Sequence, residues 1–324
     1  MKKLYRTAAF ILILVMIVAL LGCTRSDLTA DEERLTIKVI VKMQEPTFWA
    51  VVHMGAIAAG KEFNVDIEYD GPTNEKDIDG QIGMVRDAIE QDVDALVLAA
   101  SDYQKLVPVA EEAKAAGIPV IIIDSNLNSE KMDSFIGTDN VDAGRKLGES
   151  LIDKVGEDCK IAVMSFVKGT ATAVQREEGF FDKISEYPKV QVLATLYCNS
   201  QAAIAQQLTK EVVAANPDID AIVCLNAYGT VGTAYAVTEL KRTGDIKIIG
   251  FDSTPEEISF MEKDVIQSLV IQNPFNMGYL GVKYALDAIN KVKVPKTVNT
   301  GSEVIDIDNM YLPENQKLVF PFTN

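Results

Sequence analysis

Histidine is the scarcest chemically useful residue in this chain: His53 stands alone among 324 residues. One imidazole, in a stretch with helical spacing, supplies neither a multi-histidine metal site nor the base of a His-dependent triad. It reads as a helix-surface or packing residue. The glycine-bearing signatures of nucleotide and acyl chemistry are missing too, with no G-x-S-x-G, no G-x-G-x-x-G and no G-x-x-x-x-G-K-[ST]. Cysteine is sparse and has no C-x-x-C spacing; beyond Cys23, the odd set Cys159, Cys198 and Cys224 points to buried free thiols and not to a disulfide framework. Basic residues are outnumbered, 31 against 47, for a net charge of -16. That balance excludes nucleic-acid binding, which needs basic surface to displace counterions, while dispersed carboxylates mainly serve solubility. Asp306-Ile307-Asp308-Asn309 faintly suggests a calcium loop, but the glycine and downstream glutamate are wrongly placed, so it reads as a strand end with solvated carboxylates. No cofactor and no metal is implied.

What the chain does have is apolar bulk, 48% of its residues, enough for one large or two medium domains. At its start, Lys2, Lys3 and Arg6 precede an uncharged run from Thr7 to Gly22, the layout of a signal peptide over residues 1–22. The run is short for a bilayer core. Its ending, Leu20-Leu21-Gly22-Cys23, resembles the lipobox of bacterial lipoproteins, which implies an acylated Cys23, an extracytoplasmic location and a lipid anchor in the cell membrane. Residues 23–35 are polar and aperiodic, as a solvated tether is.

From Ile37 onward, short apolar runs alternate with stretches of helical period, which predicts right-handed βαβ crossovers and doubly wound parallel sheets. The pattern restarts after Ser134 to Gly137, so two similar α/β lobes are expected. Four apolar runs end abruptly in polar residues: Val93 to Asp102, Pro119 to Asn126, Asp220 to Tyr228 and Ile246 to Ser253. Ligands of open α/β sheets bind beyond the carboxyl ends of the strands, so these endings mark one candidate site. Asp124, Asn226 and Asp252 belong to it, although each could instead cap the following helix. Phe48 and Trp49 open the first helix; one is expected in the core and the tryptophan as a stacking wall for a sugar ring. Arg176 is either a ligand donor or half of a surface ion pair with Glu177 or Glu178.

The order and spacing of these segments resemble the periplasmic ribose-binding type of solute-binding protein, the carbohydrate-binding component of an ABC importer. The resemblance runs from Ile37 to about Val294, through F-W-A-V-V-H-M-G-A (Phe48 to Ala56), I-P-V-I-I-I-D (Ile118 to Asp124), I-G-T-D-N (Ile136 to Asn140), Q-R-E-E-G-F (Gln175 to Phe180), A-N-P-D-I-D-A-I (Ala215 to Ile222), I-I-G-F-D (Ile248 to Asp252) and I-Q-N-P-F-N-M-G-Y-L-G (Ile271 to Gly281). It implies ligand binding by Phe48, Trp49, Asp124, Arg176, Asn226, Asp252 and Gln272, whose groups suit ring hydroxyls. It also implies a periplasmic-binding-protein type 1 fold whose lobes are joined by three crossings, near Thr138, Gln272 and Val304. The lobes would be residues 36–138 plus 273–303 and residues 139–272 plus 304–324, closing about a hinge when loaded. The partners implied are a carbohydrate and an ABC permease, with a monomer as the expected state.

Departures from the ribose pattern bear on the ligand. Ser125 stands where an arginine follows the first Asp, Ser200 replaces a phenylalanine, Pro46 replaces an asparagine and Lys42 a small polar residue. Lys42 and Ser125 therefore join the candidate set, and a hexose, cyclic polyol or sugar acid is expected in preference to ribose. Three rivals share parts of this reading. A repressor of the same fold would need a basic helix-turn-helix where the lipobox stands. An anchored enzyme would need a nucleophile, base and orienter set that is missing. A sensor docking on a chemoreceptor or histidine kinase would use the same residues.

Overall fold

Strands and helices alternate throughout a computed structural model that describes residues 34–44 and 47–320. The expected signal peptide, Cys23, nearly all of the tether and Pro46 lie outside the described residues. The chain first lays down β1 (Thr36–Ile40), α1 (Phe48–Phe63), β2 (Asp66–Asp70), α2 (Ile78–Glu90), β3 (Ala95–Leu98), α3 (Val107–Ala115), β4 (Val120–Ile123) and β5 (Ser134–Gly137). It continues with α4 (Asn140–Val155), β6 (Lys160–Ser165), α5 (Ala171–Ile184), β7 (Gln191–Tyr197), α6 (Ala202–Ala215), β8 (Ala221–Cys224), α7 (Ala227–Glu239), β9 (Lys247–Phe251), α8 (Pro255–Glu262) and β10 (Ser268–Gln272). The remainder is α9 (Pro274–Ile289), β11 (Thr297–Asn299), β12 (Ser302–Ile305) and α10 (Gln316–Val319).

Two six-stranded sheets result, in the orders β11-β5-β4-β3-β1-β2 and β12-β10-β9-β8-β6-β7. Every pairing is parallel except β12 on β10. The fold is thus two doubly wound α/β lobes. β3, β4 and β8 are buried at every position, as their unbroken apolar runs require of strands covered by helices on both faces. At the free edge of the first sheet, β2 carries Asp66, Glu68 and Asp70, charges that discourage pairing with another chain.

The chain passes between the sheets after β5, after β10 and between β11 and β12. The third passage falls at Thr300 and Gly301, ahead of the expected Val304, because Glu303 and Val304 already pair with Ile271 and Val270 in the second sheet. Gly301 has φ +80, open to glycine without strain, and Asn299 Oδ1 accepts from the amides of Gly301 and Asp139, knitting two passages together.

Other boundaries are set locally. Helix α3 begins only at Val107, since Asp102 Oδ1 accepts from the amides of Gln104 and Lys105 and folds those residues into a turn. Helix α7 begins at Ala227, because the Asn226 side chain accepts from Gly229 N. Asp306 is not a solvated carboxylate but pairs with Lys154 at 2.9 Å. Cys159, Cys198 and Cys224 are free and buried, all in the second lobe. His53 stacks on Tyr69 with ring centroids 4.1 Å apart.

Helix α5 carries Arg176 and lies tight against α4. A methyl group at Gly144 would collide with the Arg176 carbonyl, and one at Gly179 with that of Val141. Only glycine permits this approach, which seats Arg176 deep between the lobes.

Candidate functional site

Two aspartates end strands in the left-handed backbone region, Asp124 after β4 with φ 56 and Asp252 after β9 with φ 79. Aspartate is among the few residues with a side chain that visit this region readily. Both line a cavity between the lobes, together with Lys42, Phe48, Trp49, Arg176, Asn226 and Gln272. Of the expected residues in this region, Ser125 alone is not in the lining. It is buried, and its carbonyl accepts from Ala100 N, which ties it to the loop after β3.

Arg176 is 3% exposed and makes no surface ion pair. Its Nε donates to Asn140 Oδ1 and an Nη to the Leu225 carbonyl, each at 2.8 Å, and its guanidinium lies 3.8 Å from the centroid of the Phe251 ring. Asn140 is itself fixed, donating to the Thr138 carbonyl at 3.2 Å. Two N–H donors are thus engaged, and others remain for a bound group. Burial pulls the Arg176 pKa below its ordinary value, with Asp252, Asp124 and Glu75 opposing.

Lys42, 4% exposed, ends the first strand region 3.1 Å from Asp124 and 3.9 Å from Glu75. Burial presses its pKa down, but Asp124 and Glu75 outweigh that and hold it above the ordinary lysine value. Its ammonium also lies 5.7 Å from the Trp49 ring centroid. Trp49 is buried and meets Phe48 edge-on at 5.0 Å, so both aromatics wall the cavity and the tryptophan belongs to the first-lobe core as well.

Capping and cavity lining are not exclusive at Asn226: its Oδ1 caps α7, while its Nδ2 donates to Ser200 Oγ at 3.3 Å. Asp252 does not cap the following helix. Thr254 does so, in a reciprocal capping box with Glu257. Asp252 instead accepts from Gln272 Nε2 at 2.7 Å and from Ala227 N at 3.3 Å, and burial raises its pKa, against the opposing pull of Arg176 and Gln272. Gln272 completes a link to the first passage by accepting from Thr138 Oγ1 at 2.9 Å. Behind Asp252, burial drives the fully enclosed Glu257 carboxyl well above the usual range, and Asp252 adds to the effect.

Sequence reasoning missed Glu75, which lines the cavity and bridges the lobes by accepting from Ser200 Oγ at 2.9 Å. It sits in the polar loop Thr73-Asn74-Glu75-Lys76-Asp77, where nothing distinguishes it from a solvated acid. Thr172, Phe166 and Tyr228 are further lining residues without a sequence signal. The cavity therefore holds two cations, Lys42 and Arg176, against three carboxylates, Glu75, Asp124 and Asp252. Carboxylates accept from paired hydroxyls, guanidinium and amide donate, and aromatic walls take an apolar ring face: this is chemistry for holding a polyhydroxylated molecule.

Known proteins share this architecture. A family model described as a periplasmic binding protein domain matches residues 37–293. The D-allose-binding periplasmic protein of Escherichia coli is 25% identical over 264 residues, covering 79% of this chain and 85% of its own. The ribose import binding protein of Bacillus subtilis is 25% identical over 271 residues, covering 84% and 87%. Among solved structures, an ABC transporter solute-binding protein from Agrobacterium vitis with bound D-fucose is 37% identical, with a TM-score of 0.85 over 88% of this chain and 100% of that one. A carbohydrate transporter solute-binding protein from Agrobacterium radiobacter in complex with D-arabinose is 31% identical, with a TM-score of 0.86 over 89% and 99%. With its two parallel-sheet lobes, its interlobe cavity and a match over most of its length, the chain belongs to the periplasmic binding protein family.

Proposed function

We propose that this chain is the extracytoplasmic solute-binding component of an ABC importer, and that the cavity between its lobes takes a neutral monosaccharide of pyranose size. The observation that carries the reading is the buried ring of Asp124, Arg176, Asp252 and Gln272 facing the Phe48–Trp49 wall, in a family where a 37% identical relative holds D-fucose. Lys42 narrows the class. Its ammonium is committed to Asp124 and Glu75, and carboxylates outnumber cations in the lining, so a sugar acid is disfavoured. The short side chains of Ser125 and Ser200 do not make room for a larger ligand, since Ser125 is outside the lining and Ser200 is bonded to Glu75. The preference for a neutral hexose over ribose rests on Glu75, a carboxylate in the lining that a further hydroxyl can meet.

A thermal-shift panel followed by calorimetry tests this with D-fucose, D-allose, D-arabinose, D-ribose, a cyclic polyol and galacturonate. A ligand at 100 times its Kd stabilises the folded state by about 2.7 kcal/mol, enough to register as a shift in Tm. The neutral hexoses D-fucose and D-allose are expected to lead; the largest shift from galacturonate or D-ribose overturns the ligand class. Membrane attachment through an acylated Cys23 belongs to the same reading. Fatty-acid label is expected in the full chain and not in Cys23→Ala, and label retained by the variant refutes the anchor.

A further inference from the structure

The proposed sugar cavity has a neighbour. A second cavity, of about 260 Å³, is lined by Glu75, which also lines the first. Its walls come from the loops after β2, β3, β6 and β7, strands in the halves of the two sheets remote from the crossings, which leave from β5, β10 and β11. It therefore lies toward the mouth of the cleft and is built from both lobes.

Lys76 and Lys105 contribute from the first lobe and Lys168 from the second. All three are exposed, and none forms an ion pair among the described residues. That is a local reversal in a chain with 47 acidic against 31 basic residues. The two carboxylates sharing the cavity are already engaged. Asp102 accepts from the amides of Gln104 and Lys105, at 2.9 and 2.8 Å, and Glu75 accepts from Ser200 and stands near Lys42. Ser101, in the same lining and 2% exposed, has a buried hydroxyl with no hydrogen-bond partner among the described residues. Gly169 and Thr170, also in the lining, open the fourteen-residue helix α5, whose N-terminus favours negative charge. No aromatic side chain lines this cavity, so it lacks a platform for a second sugar ring.

From this arrangement we infer that the outer cavity is an oxyanion subsite, taking a phosphate- or sulfate-type group held jointly by lysines of the two lobes and the Ser101 hydroxyl. The inference goes beyond the sugar reading. Lys168 belongs to the opposite lobe from Lys76 and Lys105, so an oxyanion held by both sides couples its binding to closure and hence to the inner ligand. By linkage each tightens the other. The oxyanion is either a free ion or a substituent of the bound sugar.

The test uses the full chain and a Lys76→Gln/Lys105→Gln/Lys168→Gln variant, with chloride at matched ionic strength as the control. Inorganic phosphate alone is expected to raise the Tm of the parent above the chloride control and not that of the variant, a readout independent of any sugar. In calorimetry, phosphate is expected to tighten D-fucose binding by about fivefold or more in the parent and to leave it unchanged in the variant. If galactose 1-phosphate or 6-phosphate binds more tightly than D-fucose and the variant loses that gain, the oxyanion is a sugar substituent at the same subsite. No gain from any of these phosphates in the parent, or a gain that survives in the variant, overturns the subsite. D-fucose binding without phosphate judges the sugar site separately.

Discussion

Lys42 and Asp124 are each 4% exposed and 3.1 Å apart, so neither charge has water to fall back on. Removing one partner of such a buried pair leaves the other uncompensated, at a cost of about 3–5 kcal/mol. Lys42→Met is therefore expected to lower the free energy of urea unfolding by that order and to abolish D-fucose binding; a loss under 1 kcal/mol shows that water reaches Asp124. Glu257 makes a different prediction. It holds its proton more tightly in the folded than in the unfolded chain, so its contribution to stability is complete below its ordinary pKa of 4.5 and is lost as pH rises from there toward the folded value. Glu257→Gln removes that loss and can still accept from Thr254 N. The variant is expected to gain stability relative to the parent as pH rises above 4.5, and a pH-independent difference refutes the buried protonated carboxyl. At this scale the sequence was readable where a polar residue ended a buried run, as at Asp124, Asn226 and Asp252. It was not readable at Glu75, whose burial is produced by the opposing lobe and leaves no trace in its own loop.

Among the elements, the long parallel strands were legible because burial on both faces demands unbroken apolar runs. β11 has three residues and α8 eight, too few for a period to emerge, and both passed unnoticed or nearly so. Helix α5 was legible as a helix, but its depth was not. That depth depends on Gly144, a residue in a different helix, whose lack of a side chain lets the Arg176 backbone approach. Gly144→Val is expected to push α5 outward, to cost about 1–3 kcal/mol by overpacking and to weaken D-fucose binding through the displaced Arg176. Unchanged affinity in the folded variant would separate the helix contact from the site.

For the molecule as a whole, the two lobes meet through side chains as well as through the three passages. Gln272 joins Thr138 to Asp252 near the crossings, and Glu75 joins Ser200 toward the mouth. A hydrogen bond to a charged group contributes about 1.5–3 kcal/mol, so Ser200→Ala, which removes the mouth link, is expected to weaken D-fucose binding by about tenfold. Small-angle scattering should then show less ligand-induced compaction than in the parent at equal saturation; identical compaction and affinity would relieve Glu75 of any part in closure. The passages near Thr138 and Gln272 follow from the family resemblance and not from a signal in the residues themselves; in the structure each lies where a strand gives way to a capped helix. The third was displaced because antiparallel pairing of β12, a long-range event, decides where the first sheet ends.

The three buried thiols all belong to the second lobe, and burial pushes Cys159 and Cys198 up to about 11 and Cys224 higher still. A thiol so disposed reacts only when its surroundings open. The rate of alkylation is thus a clock for the opening of one half of the molecule, running without any engineered label and blind to the described residues of the other half. Cys198 lies two residues from Ser200, so a ligand that draws Glu75 and Ser200 together should slow that clock.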